Sequence, residues 1–555
     1  MQTRAMDTLK TSSVARSSIS ATPFAFRLMP SMTDMAFLMP ILFLFARMDG
    51  VKTLLADGDT GWHIRTGQWI LSHRQVPFHD IFSFTKPGQP WYAWEWLSDV
   101  GFAWLAGHGG LATLLVFSVL VICGTFVLLF RLARRQANPV IAVVITMVAA
   151  AASSIHWLAR PHLFTMLFLV LFYSAIENVR AGRERFHGIP LLALLPAATV
   201  VWTNLHGGFF VGILMLGAYA AGEVLHLLLL PTPSPDALRR ARNYFLTAAA
   251  CAAASLVNPY FYRLHLHTYA FLTDSFQAQH IVEYLTLSFH HPVAIFFEAL
   301  LLLGTAAAIW HASRGSYTEA VLMVMWGHAA LLSGRNIPLF VIIAAPFVAS
   351  AVDAWLQRLP HLQMAAWART ASEKLVAILG EIGHADAIPR WHLASLAGLG
   401  LVAALLFAPT PPPGFRPEYD PQAYPARAIG FLKTTPSARI FTIDDWGDYL
   451  IYRLYPANRV FVDGRFDFYG DDFVLQYFDV MAVKSDWQQN LSRFGVDTIL
   501  LPPSAPLAGV LKGSSRWRQV YDDGVALIFR QAGKPSDSSG TRLLAAGVAP
   551  SEKTR

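Results

Sequence analysis

Apolar segments long enough to cross a membrane recur along the chain, and they constrain its fold more than any other feature. A membrane-spanning helix needs about 20 mostly apolar residues. Charged residues make up 14% of the 555 residues, against about 25% in a soluble domain, so much of the surface faces lipid. We predict eleven spanning helices, at 31–48, 111–130, 139–157, 161–178, 189–204, 207–229, 244–262, 292–311, 317–333, 336–356 and 391–409.

Lysine and arginine residues indicate the orientation of these helices. Cytoplasmic loops of membrane proteins carry an excess of both residues. With the N-terminus inside and eleven spans, the C-terminus lies outside and every basic segment lies inside: the N-terminal tail, 131–135, 179–185, 239–242, Arg314 and 357–390. Membrane topology therefore accounts for the net charge of +7, and we predict no nucleic-acid partner. This pattern is typical of a multi-pass protein of the bacterial inner membrane.

Composition divides the chain into five parts. A Pro-rich stretch is stiff and extended, which is typical of a linker. Alternating predicted strands and helices after it indicate a small soluble α/β domain on the outer side. The parts are a cytoplasmic tail (1–30), the membrane domain (31–409) with its first outer loop (49–110), the linker (410–425), the α/β domain (426–531) and a disordered tail (532–555).

Two further features belong to these parts. Trp-rich residues 93–108 and amphipathic residues 363–383 predict helices that lie at the membrane surface rather than across it. In the α/β domain the predicted strands are 439–443, 459–463, 497–501, 517–521 and 525–529, with a hairpin turn at 522–524.

Polar residues beside the ends of the spans gather on the predicted outer side. Charges in such places are costly unless they face a cavity or each other. Each has a simpler explanation alone: Asp and Gly favour turns, arginines extend to lipid headgroups, and histidines bond between helices. Their shared location predicts a polar cavity that opens outward, with candidates Asp57, Asp59, His63, Arg65, Glu95, Arg160, His162, His206, Arg263, Glu283 and Arg335.

This set of side chains suits transfer of a sugar from a lipid carrier. A carboxylate can act as a general base or hold a divalent metal. Arginine and histidine can hold phosphate through charge-assisted hydrogen bonds, and grooves between helices can hold a polyprenyl tail. We assign Arg160, His162, His206, Arg335 and Arg263 to the phosphate of the donor. His63, Arg65 and Glu95 are predicted to support the first outer loop.

The chain resembles the GT-C superfamily of membrane glycosyltransferases, which includes protein O-mannosyltransferases, oligosaccharyltransferases and aminoarabinose transferases. The similarity lies in the overall topology and in two segments of the first outer loop, LADGDTGWHIRTGQWIL and HDIFSFTKPGQPWYAWEWLSD. It also resembles a group of bacterial membrane proteins with W-H-x-R-T-G, A-R-P-H, N-x-H-G-G and V-F-V-D-G-R segments.

The resemblance implies roles for the acidic residues. Asp57 is then the catalytic base, and Asp59 is an alternative base or a partner in holding a metal. Many members of the superfamily carry a second acidic motif in a later outer loop, for which Glu283 is the candidate here, in a context that is not distinctive. The expected cofactor is accordingly either none or a divalent ion such as Mg²⁺ or Mn²⁺. The expected acceptor is a glycan, a lipid or a protein.

Several interpretations stay open at this point. In the α/β domain, Asp445, Trp446, Asp463 and Arg465 follow predicted strands and could bind acceptor or glycan; the alternative is that they are turn residues, helix caps and a structural ion pair. For the whole chain, a lipid or glycan transporter or flippase predicts charges near the middle of the membrane. A non-catalytic envelope-assembly protein predicts that Asp57 can be replaced without loss.

Overall fold

A computed structural model of the protein describes residues 24–232, 234–434 and 438–532. Most of the two predicted tails, 1–23 and 533–555, lies outside the described residues. The described chain forms two compact units. The first unit contains residues up to 78 together with 90–420, and the second contains 79–89 together with 421 onward.

The first unit is a bundle of helices, and each of the predicted apolar segments overlaps one of them, although the segment predicted at 244–262 extends past the end of helix Ala237–Ala254. They are Met32–Leu42 with a π-helical continuation Phe43–Arg47, Trp96–Ala133, Pro139–Ser153, His162–Arg180, Leu191–Leu205, Phe210–Leu229, Ala237–Ala254, Ala294–Ser313, Tyr317–Leu332, Ile337–Arg358 and Leu393–Leu406. In the described part of the chain, seven helices are long and apolar enough to cross a membrane, and Leu191–Leu205 and Leu393–Leu406 are shorter apolar helices. The chain is therefore a multi-pass membrane protein, while the count of eleven spans and their orientation stay predictions.

Other elements lie between or beside these helices. The further helices of this unit are Phe24–Leu28, Val51–Leu54, Asp59–His73, Tyr262–Thr273, Ser275–His280 and Ala366–Asp386, and the two-residue strands Arg185–Phe186 and Ile189–Pro190 form a hairpin. Single 3₁₀ turns are Ser154–His156, Gly207–Phe209, Val282–Tyr284, Gly334–Asn336, Leu359–His361 and Pro413–Phe415.

Local sequence explains where several helices begin or break. The Ser31 side chain accepts a hydrogen bond from the Asp34 backbone N–H, and the Asp34 carboxylate accepts one from Ser31, so the two form a capping box. The long helix Trp96–Ala133 is interrupted at Gly109 and Gly110. Gly110 has φ 65° and ψ −159°, a conformation open essentially to glycine alone. The Trp-rich residues predicted as a surface helix therefore form a helical segment separate from the apolar one that follows.

Buried charges at one end of helix His162–Arg180 are paired. Arg180 bonds to Glu177 at 2.9 Å and to Glu319 at 3.0 Å, and the Tyr219 hydroxyl donates to Glu177 at 2.7 Å. A 19-residue helix is about 28 Å long, so this cluster lies far from the polar residues at the His162 end. These contacts of Arg180 and Glu177 thus join three helices of the bundle at the end predicted to face the cytoplasm.

The second unit contains a four-stranded sheet. Its strands, in spatial order, are Ile440–Phe441, Thr498–Leu501, Leu527–Gln531 and Trp517–Asp522; the first pair is parallel and the other two pairs are antiparallel. The helices of this unit are Ala428–Leu432, Asp444–Leu454, Phe466–Tyr469, Asp471–Met481, Trp487–Arg493 and Pro506–Lys512. The strand predicted at 459–463 is wrong, because Val460 makes only isolated bridges, to Ile440 and to Ser83.

Residues 79–89 depart from the predicted domain organisation. They lie in the predicted first outer loop, yet they fold with the C-terminal residues. The Val460 N–H donates to the Phe82 carbonyl at 3.0 Å, the Phe84 N–H donates to the Val460 carbonyl at 3.0 Å, and the Thr85 hydroxyl donates to the Phe461 carbonyl at 2.7 Å. The loop segment thereby satisfies backbone groups beside the edge strand that would otherwise need water.

A buried ion cluster fastens the same segment. Arg465 bonds to Asp463 at 2.7 Å and to Asp80 at 2.9 Å, and all three side chains are buried. The Arg465 guanidinium also lies 5.1 Å from the ring centres of Phe82 and Phe468. Burial alone would lower the pKa of Arg465, but Asp463 and Asp80 raise it well above its usual range, so the pair stays charged.

The four candidate residues of this unit all make contacts within it. Asp463 and Arg465 bond to each other, the Asp445 carboxylate accepts a hydrogen bond from the Tyr424 hydroxyl at 2.9 Å, and Trp446 is 2% exposed with its ring N–H on the Ala423 carbonyl. A ring that is buried in this way cannot stack on a sugar. The alternative interpretation predicted a structural ion pair, and Asp463 and Arg465 form one; a role of this unit in binding acceptor or glycan stays a prediction.

Replacing Arg465 by Ala should destabilise the second unit, because it leaves two buried carboxylates without their cation. Breaking one partner of a buried pair costs about 3–5 kcal/mol. The measurement is the urea concentration at which the C-terminal residues of the full chain become sensitive to protease. Arg518→Ala, an exposed arginine on a strand of the same unit, is the matched control and should change this concentration little. Equal effects of the two variants would contradict the structural assignment of Arg465.

Candidate active site

One guanidinium gathers three carboxylates at the His162 end of the bundle. Arg160 Nη1 lies 2.7 Å from Asp57 Oδ2 and 2.7 Å from Glu283 Oε1, and Arg160 Nη2 lies 2.6 Å from Asp59 Oδ2. Arg335 Nε lies 3.5 Å from the second oxygen of Glu283. These five residues, called the Arg160 cluster below, come from four separate segments of the chain.

The first outer loop presents its two aspartates through a turn. The Asp59 N–H donates to Asp57 Oδ1 at 3.2 Å, and helix Asp59–His73 begins there. The Trp62 ring N–H donates to Asp59 Oδ1 at 3.1 Å, which orients that carboxylate. The Tyr419 hydroxyl donates to the Gly58 carbonyl at 3.2 Å. Both carboxylates are thus held by bonds within the loop as well as by Arg160.

Backbone contacts of the preceding residue, Ala159, hold Arg160 beside the turn that carries Asp57 and Asp59. The Ala159 N–H donates to the Leu54 carbonyl at 2.8 Å, and the Thr60 hydroxyl donates to the Ala159 carbonyl at 3.0 Å. These bonds fix the short connection between two spanning helices. The guanidinium is therefore positioned by the scaffold and not only by its ion pairs.

Glu283 and Arg335 lie on two separate 3₁₀ turns, and hydrogen bonds join these turns to each other. The Gly334 N–H donates to the Leu285 carbonyl at 2.9 Å, and the Ser333 hydroxyl donates to the Glu283 carbonyl at 3.3 Å. Arg335 donates to the Tyr284 hydroxyl and lies 4.6 Å above that ring. A loop that follows the predicted seventh span and a turn before the tenth thereby form one wall of the site.

The cluster keeps its charges although its side chains are half-buried. Burial alone would lower the pKa of Arg160, but Asp57, Asp59 and Glu283 raise it well above its usual range. Burial would raise the pKa of Glu283, but Arg160 and Arg335 hold it well below its usual range. Three carboxylates and two guanidiniums leave a formal charge of −1, so the site is nearly neutral.

Beside the Arg160 cluster, a chain of contacts between imidazoles and carboxylates runs into the bundle. His63 Nδ1 lies 2.6 Å from Asp99 Oδ1, and His63 Nε2 lies 3.5 Å from Glu95 Oε2. The other Glu95 oxygen lies 3.3 Å from His206 Nε2. Burial, followed by the charge of Arg160, holds the pKa of His63 well below its usual range, so the ring is neutral. The members of this chain can both donate and accept protons.

His206 has a defined tautomer. The Gly208 N–H donates to His206 Nδ1 at 2.9 Å, so Nδ1 carries no proton and the neutral ring carries its proton on Nε2, facing Glu95. The Thr165 hydroxyl accepts from the Trp202 ring N–H at 2.9 Å and lies 2.8 Å from His206 Nδ1. The N-x-H-G-G segment therefore positions an imidazole N–H toward the site.

A glycine allows the histidine chain to form. A Cβ atom added to Gly67 would lie 1.9 Å from the Asp99 carbonyl oxygen, so helix Asp59–His73 can approach helix Trp96–Ala133 this closely only with glycine at position 67. That approach brings His63 to Asp99. Asp99 was expected only as one of the ionisable residues of the first outer loop, and no role was predicted for Thr165 or Gly67.

The other predicted residues lie around this core. His162 packs on His156, with ring centres 4.1 Å apart, and bonds to the His156 carbonyl at 2.7 Å. Arg65 bonds to Gln68 one turn along its own helix at 2.8 Å. Arg263 is exposed, and in the part of the chain that the structure describes no side-chain bond joins it to the Arg160 cluster. Its assignment to the phosphate has no support from these contacts.

The arrangement does not fit a metal held by Asp57 and Asp59. The oxygens that would ligate the ion lie within 2.7 Å of Arg160 nitrogens, and a cation at that position would meet the guanidinium. Across residues 24–232, 234–434 and 438–532, no group of three His, Cys, Asp or Glu side chains has the arrangement of a metal site. The carboxylates surround a side-chain cation instead.

Solved structures with a similar fold were found for this chain. The oligosaccharyltransferase AglB of Archaeoglobus fulgidus, in complex with an inhibitory peptide and a dolichol-phosphate, aligns with a TM-score of 0.53 at 13% identity, over 92% of this chain and 74% of that one. An apo oligosaccharyltransferase of the same organism aligns with 0.51 at 12% identity, over 84% and 69%. The chain has the GT-C fold.

Other comparisons add less. ArnT from Cupriavidus metallidurans in the apo state aligns with a TM-score of 0.48 at 14% identity, over 90% of this chain and 96% of that one, and the assignment of the GT-C fold rests on the two archaeal structures. No protein-family model matches the chain, and no curated protein matches it in sequence. The GT-C resemblance expected from the first outer loop is thus confirmed at the level of the fold.

Glu283→Gln should lower the melting temperature at neutral pH, because it removes a charge-assisted bond to Arg160 that contributes about 1–3 kcal/mol. The pKa of Glu283 is depressed from its ordinary value of 4.5. Its contribution is therefore present above pH 4.5 and is lost as the pH falls through the depressed pKa. We expect the difference from the natural protein to narrow as the pH falls below 4.5.

The matched control is Glu418→Gln, which changes an exposed carboxylate of the same unit. It should leave the melting temperature nearly unchanged at either pH. A destabilisation by Glu283→Gln that is constant between pH 7 and the acid limit of folding would contradict the ionised pairing of Glu283 with Arg160.

Proposed function

We propose that the chain is an integral membrane glycosyltransferase that transfers a sugar from a polyprenyl-phosphate-linked donor to an acceptor at the periplasmic face of the bacterial inner membrane. The observation that carries the proposal is the Arg160 cluster. It joins the two aspartates of the first outer loop to two guanidiniums and a third carboxylate, all at one end of the helix bundle.

The comparison structures support the class of donor. The archaeal structure with a similar fold is a complex with a dolichol-phosphate and an inhibitory peptide. A chain with a similar fold and two guanidiniums at the ends of its spanning helices suits a related carrier. The lipid tail would lie between apolar helices, and its phosphate would meet Arg160, Arg335 and the N–H of His206.

The reaction is a single displacement at the anomeric carbon. The acceptor's nucleophilic atom forms a bond to that carbon, the bond from the carbon to the phosphate oxygen breaks, and the polyprenyl phosphate leaves with the electron pair. Asp57 takes the proton of the acceptor as a general base. Arg160 and Arg335 stabilise the charge that develops on the departing phosphate. Asp59 and Glu283 hold Arg160 in place for that task.

Asp57→Asn should abolish transfer while leaving the fold intact, because the amide keeps the shape of the side chain but cannot take a proton. Loss of a general base reduces rates by about 10²–10⁴-fold. The measurement is mass-spectrometric consumption of a panel of polyprenyl-phosphate sugars by the purified protein, with cell-envelope extract as the source of acceptor.

Asp49→Asn is the control, since it makes the same change at an exposed aspartate in the same loop, outside the cluster. It should consume donor at the rate of the natural protein. If the folded natural protein leaves every donor intact, the transferase proposal is wrong. The two alternative functions, a lipid or glycan transporter or flippase and a non-catalytic envelope-assembly protein, then take its place.

The orientation can be tested by cysteine labelling. The two native cysteines, Cys123 and Cys251, are buried, so an added thiol is labelled with little background. Lys512→Cys in the second unit should react with a membrane-impermeant maleimide in spheroplasts. Glu184→Cys, in a loop predicted to face the cytoplasm, should react only after the membrane is permeabilised. The reverse pattern would place the site on the cytoplasmic face.

A further inference from the structure

The Arg160 cluster has the composition of a divalent-cation site but holds a side-chain cation. Three carboxylates drawn from separate segments are the ligand type that Mg²⁺ and related ions prefer. Here one oxygen of each carboxylate lies 2.6 or 2.7 Å from an Arg160 nitrogen. The guanidinium therefore occupies the place where the three carboxylates would otherwise meet a metal.

Backbone contacts of the preceding residue also help to position Arg160. The backbone on its N-terminal side is fixed by the Ala159 N–H on the Leu54 carbonyl at 2.8 Å and by the Thr60 hydroxyl on the Ala159 carbonyl at 3.0 Å. A guanidinium that lies between the carboxylates fills the space that a divalent ion would need, and its positive charge repels that ion. Without it, three carboxylates would face one guanidinium, that of Arg335, and the local formal charge would be −2.

We propose that Arg160 is the resident cation of this site, and that the chain uses it in place of a divalent metal. The guanidinium neutralises Asp57, Asp59 and Glu283. Unlike a divalent metal, a guanidinium does not need a complete shell of oxygen ligands. The N–H groups of Arg160 that do not bond to these carboxylates can therefore face an anionic phosphate. The catalytic part of this inference rests on the proposed function, whereas the identity of the bound cation does not.

The decisive experiment is a Mn²⁺ titration of the purified full chain, in which electron paramagnetic resonance measures free Mn²⁺. The natural protein should bind no Mn²⁺ at this site. Arg160→Ala should bind one ion with an affinity at least about tenfold higher than that of the natural protein, since it exchanges a bound positive charge for an open carboxylate site. Its melting temperature should then rise with added Mn²⁺, because a ligand that binds the folded state stabilises it.

Three further variants make the result specific. Arg160→Gln, whose amide can still bond to a carboxylate, is the second neutral variant in case the alanine protein does not fold, and it should also gain Mn²⁺ binding. Arg160→Lys keeps a cation and should gain none. The double variant Arg160→Ala with Asp59→Asn removes a ligand and should lose the binding that Arg160→Ala gains.

Two outcomes would overturn the proposal. One is stoichiometric Mn²⁺ binding by the natural protein that Asp57→Asn abolishes. The other is a folded Arg160→Ala protein that binds no more Mn²⁺ than the natural one. Donor consumption by the natural protein in the presence of a chelator is a separate measurement. If no donor is consumed at all, the proposed function fails while the Mn²⁺ titration still decides which cation the site holds.

Discussion

The first unit depends on the contact between Arg160 and three carboxylates. A carboxylate beside lipid is costly unless a cation pairs with it, and an isolated guanidinium has the same difficulty. The ion pairs therefore offset the cost of desolvation both for Arg160 and for each of its three carboxylate partners, Asp57, Asp59 and Glu283. Because the four residues belong to three segments that lie far apart in sequence, the pairing requires the first outer loop, the turn before helix His162–Arg180 and the 282–284 turn to assemble together.

The histidine chain extends this arrangement into the bundle. Neutral imidazoles at positions 63 and 206 connect Glu95 to Asp99 and to Thr165 without adding net positive charge. The close helix approach at Gly67 brings His63 within hydrogen-bond distance of Asp99 Oδ1. The bundle thus has a charged rim formed by the Arg160 cluster, with contacting imidazoles and carboxylates behind it.

Sequence analysis located the spanning helices because apolar content is a local property, and it named Asp57, Asp59, Arg160 and Arg335 because they stand beside span ends. It could not show that Arg160 would take the carboxylates, since that contact joins residues about 100 positions apart. The same limit explains the errors in the second unit. RVFVD has the composition of a strand, but its partners are single residues of distant segments, and the burial of Trp446 depends on tertiary packing alone.

Residues 79–89 also impose an order on biosynthesis. They pair with Val460 and provide Asp80 for Arg465, yet more than three hundred residues are made between them and those partners. At typical synthesis rates of about 5–20 residues per second, the segment waits for roughly 20 s to a minute before its partners exist. During that interval Asp80 and the backbone of 82–85 lack their native contacts. A fragment that begins at residue 421 contains Arg465 and Asp463 but lacks Asp80, so its buried arginine has lost one of its two carboxylate partners.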